Sequence, residues 1–112
     1  MSNESDLEKI ELSIEQANVH IGKQAALQSL FSNKEFIEVF LKGYFETEPS
    51  RLVLLKADPA MQSAENQASI IQAIDAIGHF RQYINTIMQL GNMARKAVND
   101  DQETREEILA EG

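Results

Sequence analysis

A chain of 112 residues with 18 acidic against 10 basic side chains, a net charge of −8, has room for one modest core and hardly two. It contains no cysteine, which excludes disulfides, thiolate-bound zinc, iron–sulfur clusters and cysteine nucleophiles. Its acidity repels phosphate backbones, and no apolar run reaches the ~20 residues that cross a bilayer, so neither direct nucleic-acid binding nor membrane insertion is expected.

The N-terminal MSNESDLEKIELS is acidic and lacks the apolar stretch of a secretory leader. Within it, Ser5 and Glu8 have the spacing of a capping box, which predicts a helix start. Leu7, Ile10, Ile14, Ala17 and Ile21 then recur at alternating steps of three and four, the a/d seam of a coiled-coil-like helix running to about Leu30. Leu12, Val19, Ala26 and Leu30 form a second, weaker stripe, so this helix is expected to touch more than one neighbour.

Ser32 and Glu35 offer a second capping box, followed by Phe36, Ile37, Phe40, Leu41, Tyr44 and Phe45 at helical spacing. Gly43 interrupts this short aromatic helix. TEPS then predicts a fresh start, with Pro49 in a first turn where its missing N–H matters least. The helix it opens is apolar on nearly every side (Leu52, Val53, Leu54, Leu55, Ala57) and stops before Pro59, because a residue preceding proline avoids the α region. Such a segment reads as a core plug.

Ser63 is the expected N-cap of the last element. Ile70, Ile71, Ile74, Ile77, Phe80, Ile84, Ile87, Met88, Leu90, Ala94 and Val98 predict a helix of some 35 residues, roughly 50 Å long. Beyond it, NDDQETREEILAEG either continues the helix or frays, with Ile108 and Leu109 as its only anchors. The expectation is therefore an all-α fold: two long antiparallel helices with two short helices packed between or across them, completed by oligomerisation through the surplus stripes. One domain spans residues 1–112, with residues 1–4 and about 99–112 as acidic ends that are candidates for flexibility.

Charge is concentrated at those ends. Residues 1–20 hold five acids against Lys9, and residues 99–112 hold six against Arg105, leaving the body of the chain near neutral. Solvated helix ends account for this pattern; an arm that docks on a basic partner or imitates the charge of DNA is the functional alternative.

The inventory of chemistry is short. No phosphate loop, HExxH, GxSxG or Glu-x-x-His occurs, and no cofactor or metal is expected. Asp75 and His79 stand four apart and supply half a metal site at most; a helix-surface hydrogen bond explains them as well. His20 stands alone. Arg51, at the start of an apolar segment, is expected to pair with Glu46, Glu48 or Asp75, with Arg51–Asp75 as the candidate structural ion pair. Arg81 falls on the buried-looking stripe, where an arginine needs a carboxylate or a phosphate. With His79 and Tyr83 it makes a polar–aromatic group of the kind found at interfaces. The candidate interaction residues are thus His79, Arg81, Tyr83, Asp100, Asp101, Glu103, Glu106 and Glu107. No catalytic constellation emerges, and the protein is not expected to be an enzyme.

NKEFIEVFLKGYFETEPSRLVLLKADPAMQS, IDAIGHFRQYINTIMQLGNMARKAV and the tail DDQETREEILAEG resemble a group of small acidic, all-helical proteins of tailed bacteriophages. The resemblance spans about residues 10–112 and rests on the short NK-x-F helix, GYF, RLV before ADP, and IGHFRQY. It brings no functional residues with it. It implies a non-enzymatic phage protein, in the host bacterial cytoplasm or incorporated in the virion, that serves virion structure or assembly through protein–protein contacts. The partners would be itself, as a homo-oligomer, or another phage or host protein. The alternative is an acidic inhibitor that occupies a host or defence nucleic-acid enzyme by charge mimicry.

Overall fold

A computed structural model of the chain describes residues 3–111. They form an all-α protein with no strand among them. Helix α1 is Asn3–Phe31; α2 (Lys34–Phe36) passes into a π-helical stretch, Ile37–Thr47, and then α3 (Glu48–Ala57). A single 3₁₀ turn, Pro59–Met61, leads to α4, Ala64–Glu111. The chain divides into two compact units: one of residues 1–27 and 86–112, the other of residues 28–85.

The first unit is an antiparallel helical hairpin made from α1 and the second half of α4. Its seam follows the expected heptads: Leu7, Ile10, Ile14, Ala17 and Ile21 are buried or half-buried on α1. On α4 the matching series is Gly91, Ala94, Val98, Asp101 and Ile108. The acidic tail does not fray: α4 reaches Glu111 and is 48 residues long. Ile108 is half-buried, as an anchor should be, while Leu109 is exposed. Of the two ends expected to be candidates for flexibility, residues 3, 4 and 99–111 are helical; Met1, Ser2 and Gly112 lie outside the described residues. The capping box at Ser5 is overturned, because the helix already begins at Asn3 and Ser5 sits inside it.

The second unit packs the helix of residues 34–57 against the first half of α4. Leu52 meets Ile70 and Ile77, with Tyr44, Phe45, Leu55, Met61, Ala73 and Ile74 around them. Phe80 closes the cluster through edge-on contact with Tyr44 and a tilted contact with Phe45, ring centres 6.0 and 5.5 Å apart. The cap before Lys34 is Asn33, not Ser32: its side chain accepts from the Phe36 N–H at 2.8 Å. Ser63 caps α4 as expected, accepting from the Asn66 N–H at 3.1 Å. The stop before Pro59 also holds, with Asp58 extended at ψ 128° and its carboxylate accepting from the Ala60 N–H. Glutamine side chains then satisfy carbonyls that the end of α3 leaves open. Gln62 and Gln67 both donate to the Lys56 carbonyl at 2.9 Å.

The predicted break at TEPS does not occur. Residues 34–57 form one continuous helix, and Thr47, Glu48 and Pro49 are all helical. In an ordinary α-helix the ring of Pro49 would strike the carbonyl four residues earlier. The π stretch just before it provides a wider turn: the Glu48 N–H reaches the Gly43 carbonyl, five residues back. The apolar spacing favours the same geometry, because Phe36, Phe40 and Tyr44, like Ile37, Leu41 and Phe45, recur every four residues with no step of three. Gly43 fits this widened turn, where a Cβ would lie 3.1 Å from the Glu38 carbonyl oxygen.

Candidate interaction surfaces

In the hairpin the seam is interrupted by one polar node. Gln24 takes the heptad position that follows Ile21, and it is 1% exposed. Its amide nitrogen donates to the Met88 carbonyl at 2.9 Å and to Asn92 Oδ1 at 2.7 Å. Its amide oxygen accepts from Arg95 Nε at 2.7 Å. Gly91 makes room for it: a Cβ there would come within 2.5 Å of Gln24 Cβ and 2.7 Å of Oε1. A buried polar residue at a seam position fixes the register of a coiled coil at some cost in stability. This node is absent from the sequence-based expectations, although a glutamine at the next seam step after Ile21 is its visible signal.

Because the helices run antiparallel, the two acidic segments converge. Glu4, Asp6, Glu8, Glu11 and Glu15 on α1 share one end of the hairpin with Asp100, Glu103, Glu106, Glu107 and Glu111 on α4. All of these but Asp6 are exposed. Asp101 departs from the expected surface role: it is half-buried in the seam, with Oδ2 wholly buried and lacking a hydrogen-bond partner. Lys23, Arg95 and Lys96 supply positive charge elsewhere in this unit.

In the second unit the expected group of His79, Arg81 and Tyr83 does not assemble on one side. All three are exposed, but residues two apart on a helix point to opposite sides, so His79 and Tyr83 share a face and Arg81 leaves it. Arg81 lies one turn from both Ile77 and Ile84 and so borders the stripe through Ile70, Ile77 and Ile84, but it is exposed where burial was expected. It lines an open cleft of about 270 Å³ with Leu41, Phe45, Glu46, Ile84 and Asn85.

The ion pair expected between Arg51 and Asp75 is also corrected. Arg51 pairs with Glu48, one turn earlier, and its Nε donates to both carboxylate oxygens at 3.1–3.2 Å. Local i,i+3 geometry on an exposed helix face wins over a partner from another element. The hydrogen bond from Arg51 holds the Glu48 carboxyl below its ordinary 4.5, and the same bond raises the guanidinium of Arg51.

The core-plug expectation for residues 49–57 is half right. Leu52 is buried and Leu55 half-buried, but Val53 is 60% and Leu54 74% exposed. A helix apolar on all sides has here been given one wall only. The second stripe of α1 is exposed as well: Leu12, Val19, Ala26 and Leu30 all face water.

Among the described residues no group of three or more His, Cys, Asp or Glu is placed to hold a metal ion, and no helix is long and apolar enough to cross a membrane. Comparison with known proteins brings no match: no family model, curated protein or solved structure aligns with the chain.

Proposed function

We propose that this protein acts without catalysis, by binding other proteins in the structure or assembly of a bacteriophage particle. The observation that carries the reading is the outer side of α3, where Val53 and Leu54, the two residues after the buried Leu52, lie exposed beside Pro49. Adjacent large apolar side chains rimmed by polar neighbours are the usual mark of a protein contact. The resemblance to small proteins of tailed phages supports the setting.

The test uses Leu54→Asp. Because Leu54 is 74% exposed, the substitution leaves the fold within about 0.5 kcal/mol of the wild type. Quantitative mass spectrometry of purified particles should find the wild-type protein at a defined copy number and the variant depleted. Absence of the wild type from particles, or full incorporation of the variant, sinks the reading.

One observation favours a second reading, the inhibitor of a basic, nucleic-acid-binding enzyme: the convergence of both acidic segments at one end of the hairpin. Joint neutralisation of Asp100, Glu103, Glu106 and Glu107 should then abolish a salt-sensitive interaction with such an enzyme. Unchanged binding removes it.

A further inference from the structure

We infer that the outward stripe of α1 is the docking surface for a second copy of the same chain, lying antiparallel along it with Val19 at the two-fold axis. The inference rests on the contact-based reading above and names its first partner.

Leu12, Val19 and Ala26 are seven residues apart, so they hold one line along the helix. The seam with α4 uses Leu7, Ile10, Ile14, Ala17, Ile21 and Gln24, which places this line at the heptad position farthest from α4. The exposures agree: Leu12 is 54% and Val19 63% accessible. Nothing in the hairpin explains why an otherwise polar outer face keeps them.

The charges beside the stripe select the occupant. Glu15 precedes Val19 by four residues and Lys23 follows it by four, and both are exposed. Neither has an ion-pair partner in its own chain among the described residues, and being eight apart they cannot reach each other. Setting Val19 against Val19 of an antiparallel copy brings Glu15 level with the second copy's Lys23, and the symmetry repeats the pair. The same register puts Leu12 against the second copy's Ala26, a large side chain against a small one, also twice. A two-fold interface must be self-complementary in this way.

Gly22 adds a separate observation. It lies between Val19 and Ala26 in an exposed helix interior, where glycine costs about 1 kcal/mol relative to alanine. A Cβ there would meet nothing within 4 Å, so packing inside the chain does not require it. Its use is to let another backbone come close beside the stripe.

Sedimentation of the full chain tests the arrangement. The wild type should form a dimer, and Val19→Glu should yield a monomer with unchanged helical circular dichroism, since Val19 is exposed on the side away from the seam. Glu15→Lys and Lys23→Glu should each weaken association about tenfold, as two attractive pairs become repulsive. The double exchange should restore it. That rescue separates an intermolecular Glu15–Lys23 pair from a general charge effect.

A wild type that stays monomeric at its highest soluble concentration overturns the inference, as does a double exchange that fails to rescue. A monomer that loses a different binding partner on Val19→Glu also overturns it, and assigns the stripe to that partner. The two readings fail separately. A monomer that still enters particles removes only the dimer, and a dimer absent from particles removes only the assembly role.

Discussion

Gly91→Ala probes the close approach of the two hairpin helices at one methyl group. The new Cβ would press on Gln24 from its Cβ, at 2.5 Å, out to its amide group. Because the conflict begins at the Cβ of Gln24, a change of rotamer does not relieve it, and the helices must part locally or Gln24 must leave its three hydrogen bonds. Overpacking costs about 1–3 kcal/mol. Leaving a buried amide unpaired adds about 1–3 kcal/mol, and the better helix propensity of alanine offsets about 1 kcal/mol. The net loss is about 3 kcal/mol, read as a lower midpoint in urea unfolding followed by far-ultraviolet circular dichroism. In a Gln24→Gly background the same substitution should change sign and stabilise by about 1 kcal/mol, because only the propensity remains. An unchanged or raised midpoint for Gly91→Ala in the wild-type background would show that the helices do not approach as described.

Leu52→Ala should cost about 2–5 kcal/mol by chemical denaturation, since it empties the centre of the Leu52–Ile70–Ile77 cluster. Asp101→Leu should stabilise the fold by about 1–3 kcal/mol, read as a higher unfolding midpoint, because it replaces a seam carboxylate whose Oδ2 is buried without a partner. A fall in stability would mean that the carboxylate is satisfied in solution. Glu48 should titrate below 4.5 by carbon-detected NMR, and Arg51→Gln should return it towards that value. With its folded-state value depressed, the pair helps the fold above the ordinary carboxylate range and ceases to help as pH falls through the lowered value.

Much of the hairpin can be read from sequence because a seam of alternating three- and four-residue steps has one geometric solution. The same holds for Ser63 and for the extended Asp58 before Pro59, where local chemistry decides the backbone. The TEPS region misled because proline usually marks a helix start, whereas here a widened turn absorbs it in mid-helix. Asn33 displaced Ser32 as cap by one position, a choice that depends on which side chain reaches the Phe36 N–H. Arg51 found its partner one turn away: the i,i+3 spacing to Glu48 was legible in the sequence once residues 48–51 share one helix, whereas the expected break at TEPS obscured it. For residues 49–57, apolarity on every side says that some face is buried; only the path of α4 tells Leu52 from Leu54. The grouping of His79, Arg81 and Tyr83 failed for a simpler reason, since neighbours in sequence diverge around a helix. The Gln24–Gly91 node joins residues far apart in the chain, and a single helix pattern shows only half of it.

Among the described residues the acids of α1 and of the last turns of α4 share one end of the hairpin, and this makes that end sensitive to ionic strength in an unusual sense. Acids in the first turn of α1 suit the positive pole of that helix, but α4 finishes without a basic residue in its last turn. Glu106, Glu107 and Glu111 therefore oppose their own helix dipole as well as the acids of α1. Most proteins held by surface ion pairs loosen as salt is added. Here the dominant surface term at this end is repulsion, which acts over ~10 Å at 0.1 M salt and shrinks as salt rises. Amide exchange near Glu8 and Glu107 should slow with increasing salt, so that the hairpin closes in brine and breathes in dilute buffer.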